Sequence, residues 1–119
     1  MQVCKLDDIP VSSAHGYVIG QNNIFIVRTA QHEIAAYLNR CPHMGVPLNW
    51  EQNRFMDNDC SFIRCATHGA MFEPDTGLCI LGPCRGESLW QLACTIENGN
   101  IQVDVSELPG SDSPLNQEP

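Results

Sequence analysis

Two short stretches hold the residues best able to do chemistry. Cys41-Pro42-His43 and Cys65-Ala66-Thr67-His68 each pair one thiol with one imidazole, and residues 44–64 separate the pairs. At this spacing the chain just spans a ligand-to-ligand distance, so each pair can reach one metal centre from a single tight loop. Glycine stands close to each histidine, in His43-Met44-Gly45 and in His68-Gly69. A glycine there lets backbone approach a bulky cofactor and offer N–H donors without a side-chain clash. A bare zinc ion accepts the same Cys₂His₂ set tetrahedrally. The Cys-x-His start is unusual for a zinc finger, however, and no recognition helix is readable between or after the pairs.

The elements that must carry these loops read as short β-strands between turns. Strands are predicted over Val3–Leu6, Gly16–Ile19, Ile24–Thr29, Glu33–Asn39, Arg54–Met56, Ser61–Arg64, Met71–Glu73, Cys79–Leu81, Leu89–Glu97 and Asn100–Val105. Asn98-Gly99 between two alternating runs is a strong hairpin signal, and Gln21-Asn22-Asn23 and Asp75-Thr76-Gly77 read as turns. Helical periodicity is weak throughout, and no internal repeat is visible. The expected architecture is therefore all-β. Arg40 to Gly86 holds five of the seven cysteines and half of the four histidines, which makes it the expected seat of the chemistry. Residues 109–119, rich in proline and polar residues, are expected to form a disordered tail.

Composition narrows the function classes. A chain of 119 residues, 43% hydrophobic and 17% charged, fits one globular domain rather than a multidomain enzyme. Fourteen acidic residues against six basic ones give a net charge of −8, so no cationic patch is available for nucleic acid. An anionic membrane surface is disfavoured for the same reason. The acidity implies a solvated surface and steering toward a basic protein partner. No apolar run is long enough to span a bilayer, and the first residues lack a secretory pattern. The expected location is the cytoplasm, where seven cysteines point to metal or redox chemistry or buried thiols rather than a disulfide framework.

Taken together, Cys41-Pro42-His43-Met44-Gly45, Cys65-Ala66-Thr67-His68-Gly69-Ala70-Met71-Phe72, and Asp75-Thr76-Gly77 followed by Gly82-Pro83 resemble the Rieske family of [2Fe–2S] proteins. The resemblance is specific in this central part and vaguer outside it. It implies an antiparallel β-sandwich or barrel over residues 1–108, with an inserted cluster-binding subdomain over about 40–86. It also implies one [2Fe–2S] cluster per chain, with Cys41 and Cys65 on one iron and His43 and His68 on the other. Neutral imidazoles leave such a cluster less negative than four thiolates would, so adding an electron costs less.

Departures from the family pattern carry information. The spacing between the pairs is several residues longer than in typical Rieske ferredoxins, which predicts an extra turn around Asn49–Asp59. The high-potential members have a disulfide between the two cluster loops, where this chain has Val46 and Thr67. They also place hydroxyl donors near the cluster, where this chain has Ala70 and Phe72. Without those donors the potential is expected near the low end of the Rieske range, about −150 mV. Gly82-Pro83-Cys84-Arg85-Gly86 resembles the family's proline-bearing loop and is expected to shield the cluster, with Met44 and Leu48 as co-liners. Cys79 and Cys84 are expected to be unpaired thiols. Cys4, Cys60 and Cys94 are expected to act as small buried hydrophobes, and Trp90 to lie in the core. His15 and His32 read as surface residues, Trp50 as core or partner-facing, and Asp57 and Asp59 as solvated.

The resulting expectation is a one-electron carrier serving a reductase and an oxidoreductase partner, with no catalytic residues and no small-molecule substrate of its own. Ring-hydroxylating dioxygenase systems are the pathway that analogy suggests. Three rivals differ in class: a cluster-bearing small subunit comparable to that of assimilatory nitrite reductase, an iron–sulfur redox sensor, and a structural Cys₂His₂ zinc domain.

Overall fold

The computed structural model describes residues 1–42, 47–49, 51–57, 59–66, 69–106 and 108. The strands are β1 (Gln2–Lys5), β2 (Ser13–Ile19), β3 (Asn22–Ala30), β4 (Glu33–Leu38), β5 (Ile63–Arg64), β6 (Met71–Phe72), β7 (Cys79–Leu81), β8 (Gln91–Leu92), β9 (Cys94–Glu97) and β10 (Asn100–Val103). A 3₁₀ turn over Leu6–Asp8 follows β1, and there is no α-helix among the described residues. The strands form three antiparallel sheets, ordered β1-β10-β9, β2-β3-β4-β8 and β5-β6-β7.

The central sheet is buried on both faces, and the sequence of β3 shows why. Ile24, Phe25, Ile26 and Val27 are all fully buried, and successive residues of a strand point to opposite sides. Ile24 and Ile26 join Ala36 and Leu38 of β4 and Leu92 of β8 in one core with Cys4, Ile101 and Val103 of the first sheet. Phe25 and Val27 join Ala35 and Tyr37 in a second core, which also contains Cys41, Leu48, Cys65, Ala70 and Phe72. A continuous apolar run is the pattern of a strand covered on two sides. The second face of this sheet is therefore the floor on which the cysteine loops rest.

Turn chemistry fixes the register. Gly20, at φ 61°, turns β2 into β3, so that Ile19 pairs with Asn22. Asn98 and Gly99, at φ 53° and 77°, join β9 to β10, as Asn-Gly favours. Arg28 is the one buried charged residue described. Its guanidinium donates to the carbonyls of Gln31, Leu6 and Ile9, which ties the 3₁₀ turn to β3, and Asp7 stands 4.0 Å away.

The longer segment between the two cysteine–histidine pairs is anchored. The Phe55 ring stacks on Phe25, with centroids 4.5 Å apart and planes 12° from parallel. The Gly16 amide donates to the Asn53 side-chain oxygen at 2.8 Å. A Cβ at Gly16 would sit 3.2 Å from the Phe55 ring, so the absent side chain makes room for that stack.

Several sequence expectations are corrected. Arg54–Met56 is no strand; only Met56 makes an isolated bridge, to Ile63. Leu89–Glu97 breaks into β8 and β9, which belong to different sheets. Leu89 faces the loop-side core and Leu92 the other, as residues three apart on an extended chain must. Trp90 lies outside both and is 47% exposed, because β8 is a two-residue edge strand with nothing beyond it. Cys60 is exposed at φ 56°, in a turn closed by its amide on the Asp57 carbonyl, and is no core residue. Cys94 is only half-buried, whereas Cys4 is buried. The predicted tail and Trp50 lie outside the described residues.

Candidate metal centre

Three loops meet on the second face of the central sheet. The first leaves β4 at Asn39, whose side chain closes it: Oδ1 accepts from the Leu48 amide at 2.8 Å, and Nδ2 donates to the Asn49 side-chain oxygen at 2.9 Å. The Asn39 amide itself donates to the Asn23 carbonyl at 2.8 Å, so this clasp is fixed to β3. Cys41 lies within the loop and is buried.

The second loop joins β5 to β6. The Cys65 amide donates to the Ala70 carbonyl and the Gly69 amide to the Cys65 carbonyl, both at 2.8 Å. Gly69 adopts φ 70°, the left-handed conformation that closes so tight a turn and that glycine enters without steric cost. Cys65 and Ala70 are fully buried. Among the described residues, one backbone bond joins the two loops, from the Ala66 amide to the Leu48 carbonyl at 2.7 Å.

The third loop runs from Gly82 to Glu87 and covers the second. A Cβ at Gly82 would lie 2.8 Å from the Ala70 Cα, and the residue adopts φ 105°, so only glycine fits there. Cys84 is fully buried in the same core as Cys41 and Cys65. Its thiol donates to the Cys79 sulfur at 2.9 Å. Burial pushes the Cys84 thiol above the ordinary range, and its bond to Cys79 and the charge of Cys41 act in the same direction.

Of the four residues singled out for metal binding, the structure thus brings Cys41 and Cys65 into one buried cluster. His43 and His68 lie outside the described residues, as do Met44 and Thr67. His15 is half-buried in β2 and His32 exposed in the turn after β3, both apart from these loops. Leu48 is buried in the same core as Cys41 and Cys65. Asn39 escaped the sequence reading; its place, at the end of a strand and just before a cysteine loop, was the only signal it offered.

Two thiols enclosed by apolar side chains, on loops joined by a backbone bond, suit a cofactor that takes thiolate ligands and must be kept from water. This cradle fits an iron–sulfur cluster. Residues 1–105 match the family model for the Rieske [2Fe-2S] domain. The chain belongs to the Rieske family. It accordingly carries one [2Fe–2S] cluster, and the zinc site that the residue types left open is not favoured.

The Rieske chain is also similar in fold to solved structures. One is the ferredoxin of carbazole 1,9a-dioxygenase from Nocardioides aromaticivorans IC177, with a TM-score of 0.70 and 19% identity, covering 87% of this chain and 94% of that one. Another is a chain in the complex of reduced oxygenase and oxidized ferredoxin in carbazole 1,9a-dioxygenase, with a TM-score of 0.70 and 21% identity over 87% of this chain and 100% of that one. The Sphingomonas yanoikuyae B1 ferredoxin matches with a TM-score of 0.69 and 21% identity, over 87% and 96%. At such identities the likeness speaks for the all-β Rieske fold. No curated protein matches the sequence. No helix among the described residues is long and apolar enough to cross a membrane.

Proposed function

We propose that this Rieske chain is a cytoplasmic ferredoxin that passes single electrons from a reductase to a terminal oxygenase. Cys41 and Cys65 hold one iron of its cluster, and His43 and His68 hold the other. The observation that carries the ligand assignment is the pairing of two buried cysteines from two loops joined by the Ala66–Leu48 bond. Loops tied to each other and to the sheet suit one-electron chemistry, because ligands that move little on reduction keep the reorganisation cost low. The cluster supplies the one-electron couple; the chain's residues fix its ligands, exclude water and set its surroundings.

The partner assignment rests on size and surface. The chain spans 94% to 100% of the ferredoxin-sized structures it resembles, and one of those belongs to a complex of ferredoxin with oxygenase. Leu81, 54% exposed, together with the exposed Pro83, offers an apolar edge beside the loop that covers Ala70. A net charge of −8 favours approach by a basic partner face.

The test is a stopped-flow experiment under nitrogen. Holoprotein reduced by one electron is mixed with an oxidised Rieske terminal oxygenase, and the visible cluster bands are followed. The proposal predicts re-oxidation of one electron per chain, at a rate that falls as salt rises. Retention of the electron against the oxygenase, with tight co-purification with a larger subunit, would contradict a diffusible carrier.

A further inference from the structure

We propose that Cys79 and Cys84 form a reversible disulfide that fastens the loop over residues 82–87 against the Cys65–Ala70 loop. The inference goes beyond the electron-carrier reading, since neither cysteine belongs to the ligand set assigned above. Their sulfurs stand 2.9 Å apart, inside the ~3.5–4.0 Å at which even non-bonded carbon atoms settle. A disulfide bond measures about 2.05 Å, so closing it needs less than about one ångström of approach.

The backbone already holds the two residues for this. The Cys79 amide donates to the Glu87 carbonyl at 2.8 Å, and the Gly86 amide to the Cys79 carbonyl at 3.2 Å. Within the loop, the Arg85 amide donates to Gly82 at 3.2 Å and the Glu87 amide to Cys84 at 2.9 Å. The chain therefore doubles back so that the Cys84 side chain arrives at Cys79. The Cys79 thiol donates to the Leu81 carbonyl at 3.3 Å, which aims its sulfur along the same loop.

Burial shows what the bond would do. From Leu81 to Ser88 every residue is exposed except Cys84, which is fully buried. This one side chain plugs an exposed loop into the core that contains Cys41 and Cys65. In the dithiol form, the one described here, only non-covalent contacts hold the loop down, so local opening uncovers Ala70 beneath Gly82 and admits small reagents to both sulfurs. In the disulfide form the plug is tied to β7, and the loop stays down.

The oxidant is a small-molecule disulfide. The thiolate of one cysteine attacks a sulfur of that molecule, forming a mixed disulfide and releasing one thiol group. The second cysteine sulfur then displaces the remaining sulfur, and the Cys79–Cys84 bond forms. Two electrons and two protons leave the cysteines, and both released thiol groups carry them away.

The experiment equilibrates holoprotein anaerobically across ratios of oxidised to reduced dithiothreitol, then quenches in acid and labels free thiols with N-ethylmaleimide. Iron and sulfide are assayed on the same samples, so failure of the cluster reading is scored separately. The tryptic peptide Cys65–Arg85 contains Cys65, Cys79 and Cys84. The proposal predicts a form of this peptide labelled on Cys65 alone and lighter by two hydrogens, growing in across the ratios. Loss of iron to a chelator should then be several-fold slower in the oxidised form, and Cys79→Ser should abolish that difference. Labelling of all three cysteines at every ratio overturns the proposal, as does a disulfide involving Cys65. Equal rates of iron loss in the two forms overturn the fastening role.

Discussion

The amide of Ala66 donates to the carbonyl of Leu48 at 2.7 Å, and this bond ties the two cysteine loops together. Leu48 is held in turn by the Asn39 side chain, and Asn39 by Asn23 of the central sheet. A chain of hydrogen bonds thus runs from β3, through both loops, to Cys65. The position of the two thiols is set by the sheet and not by the cofactor alone.

This chain of bonds gives the first prediction. Asn39→Ala removes the acceptor for the Leu48 amide and the donor to Asn49. Leaving a part-buried amide unsatisfied costs about 1–3 kcal/mol. Urea denaturation of the variant should show a loss of that size, with iron released faster to a chelator. Unchanged stability would show that the clasp is not needed.

Gly82→Ala should damage the same region from above. Its new methyl would meet the Ala70 Cα at 2.8 Å, at a φ of 105° that side-chain-bearing residues avoid. Backbone strain of this kind costs on the order of 1–3 kcal/mol, and the covering loop can respond by lifting. Holoprotein should lose its visible bands to a chelator faster than wild type, while Gly20→Ala, where no atom lies within 4 Å of the added methyl, should change iron retention little. Equal effects of the two substitutions would contradict the close-packing account.

Alkaline titration tests both cores, through Tyr37 on the loop side and Tyr17 on the other. Both tyrosines are held above their ordinary range. For Tyr37 the first cause is burial, followed by the charge of Asp75; for Tyr17 it is burial, then its bond to Cys4. A raised folded-state value stabilises the fold fully below the unfolded tyrosine range of about 10. That contribution is lost as pH rises from there toward the folded range. Absorbance of phenolate should therefore appear only above the ordinary range and together with unfolding. Half-ionised tyrosine near pH 10 in a folded protein would contradict it.

The reduction potential tests the missing hydroxyl donors. Ala70 and Phe72 are fully buried beside the cysteines and offer no donor from their side chains. The expected potential is near the low end of the Rieske range, about −150 mV. Ala70→Ser restores a donor. A hydrogen bond to a charged group is worth about 1.5–3 kcal/mol, and its lower limit corresponds to roughly 60 mV for one electron. Protein-film voltammetry should show an upward shift of up to that order. A potential above about +100 mV in the wild type would contradict the argument.

Much of this was legible in particular residues. The Asn98-Gly99 hairpin and strand Cys79–Leu81 follow from local turn chemistry and alternation. Cys41 and Cys65 could be picked out because thiol and imidazole spacing is a local property. That Cys79 and Cys84 could approach was legible in their five-residue spacing; that Cys84 alone plugs an exposed loop into the core was not, because it depends on how the third loop folds back on β7. The exposure of Trp90 was not legible because alternation does not reveal that the strand it precedes is a short edge. Asn39 went unnoticed because an asparagine at a strand end looks the same whether it clasps a loop or faces water. Cys60 reads as lying beside a turn, but its positive φ and its exposure were not legible in a residue type that is usually buried.

The account stands most directly on the electron paramagnetic resonance spectrum of the holoprotein reduced with dithionite, read beside iron and acid-labile sulfide content. It predicts two irons and two sulfides per chain and a reduced signal whose average g lies below that of all-cysteine clusters, with His43→Ala and His68→Ala each abolishing that signal. One zinc per chain with no sulfide, or the g-values of an all-cysteine cluster, would contradict a centre held by Cys41, Cys65, His43 and His68.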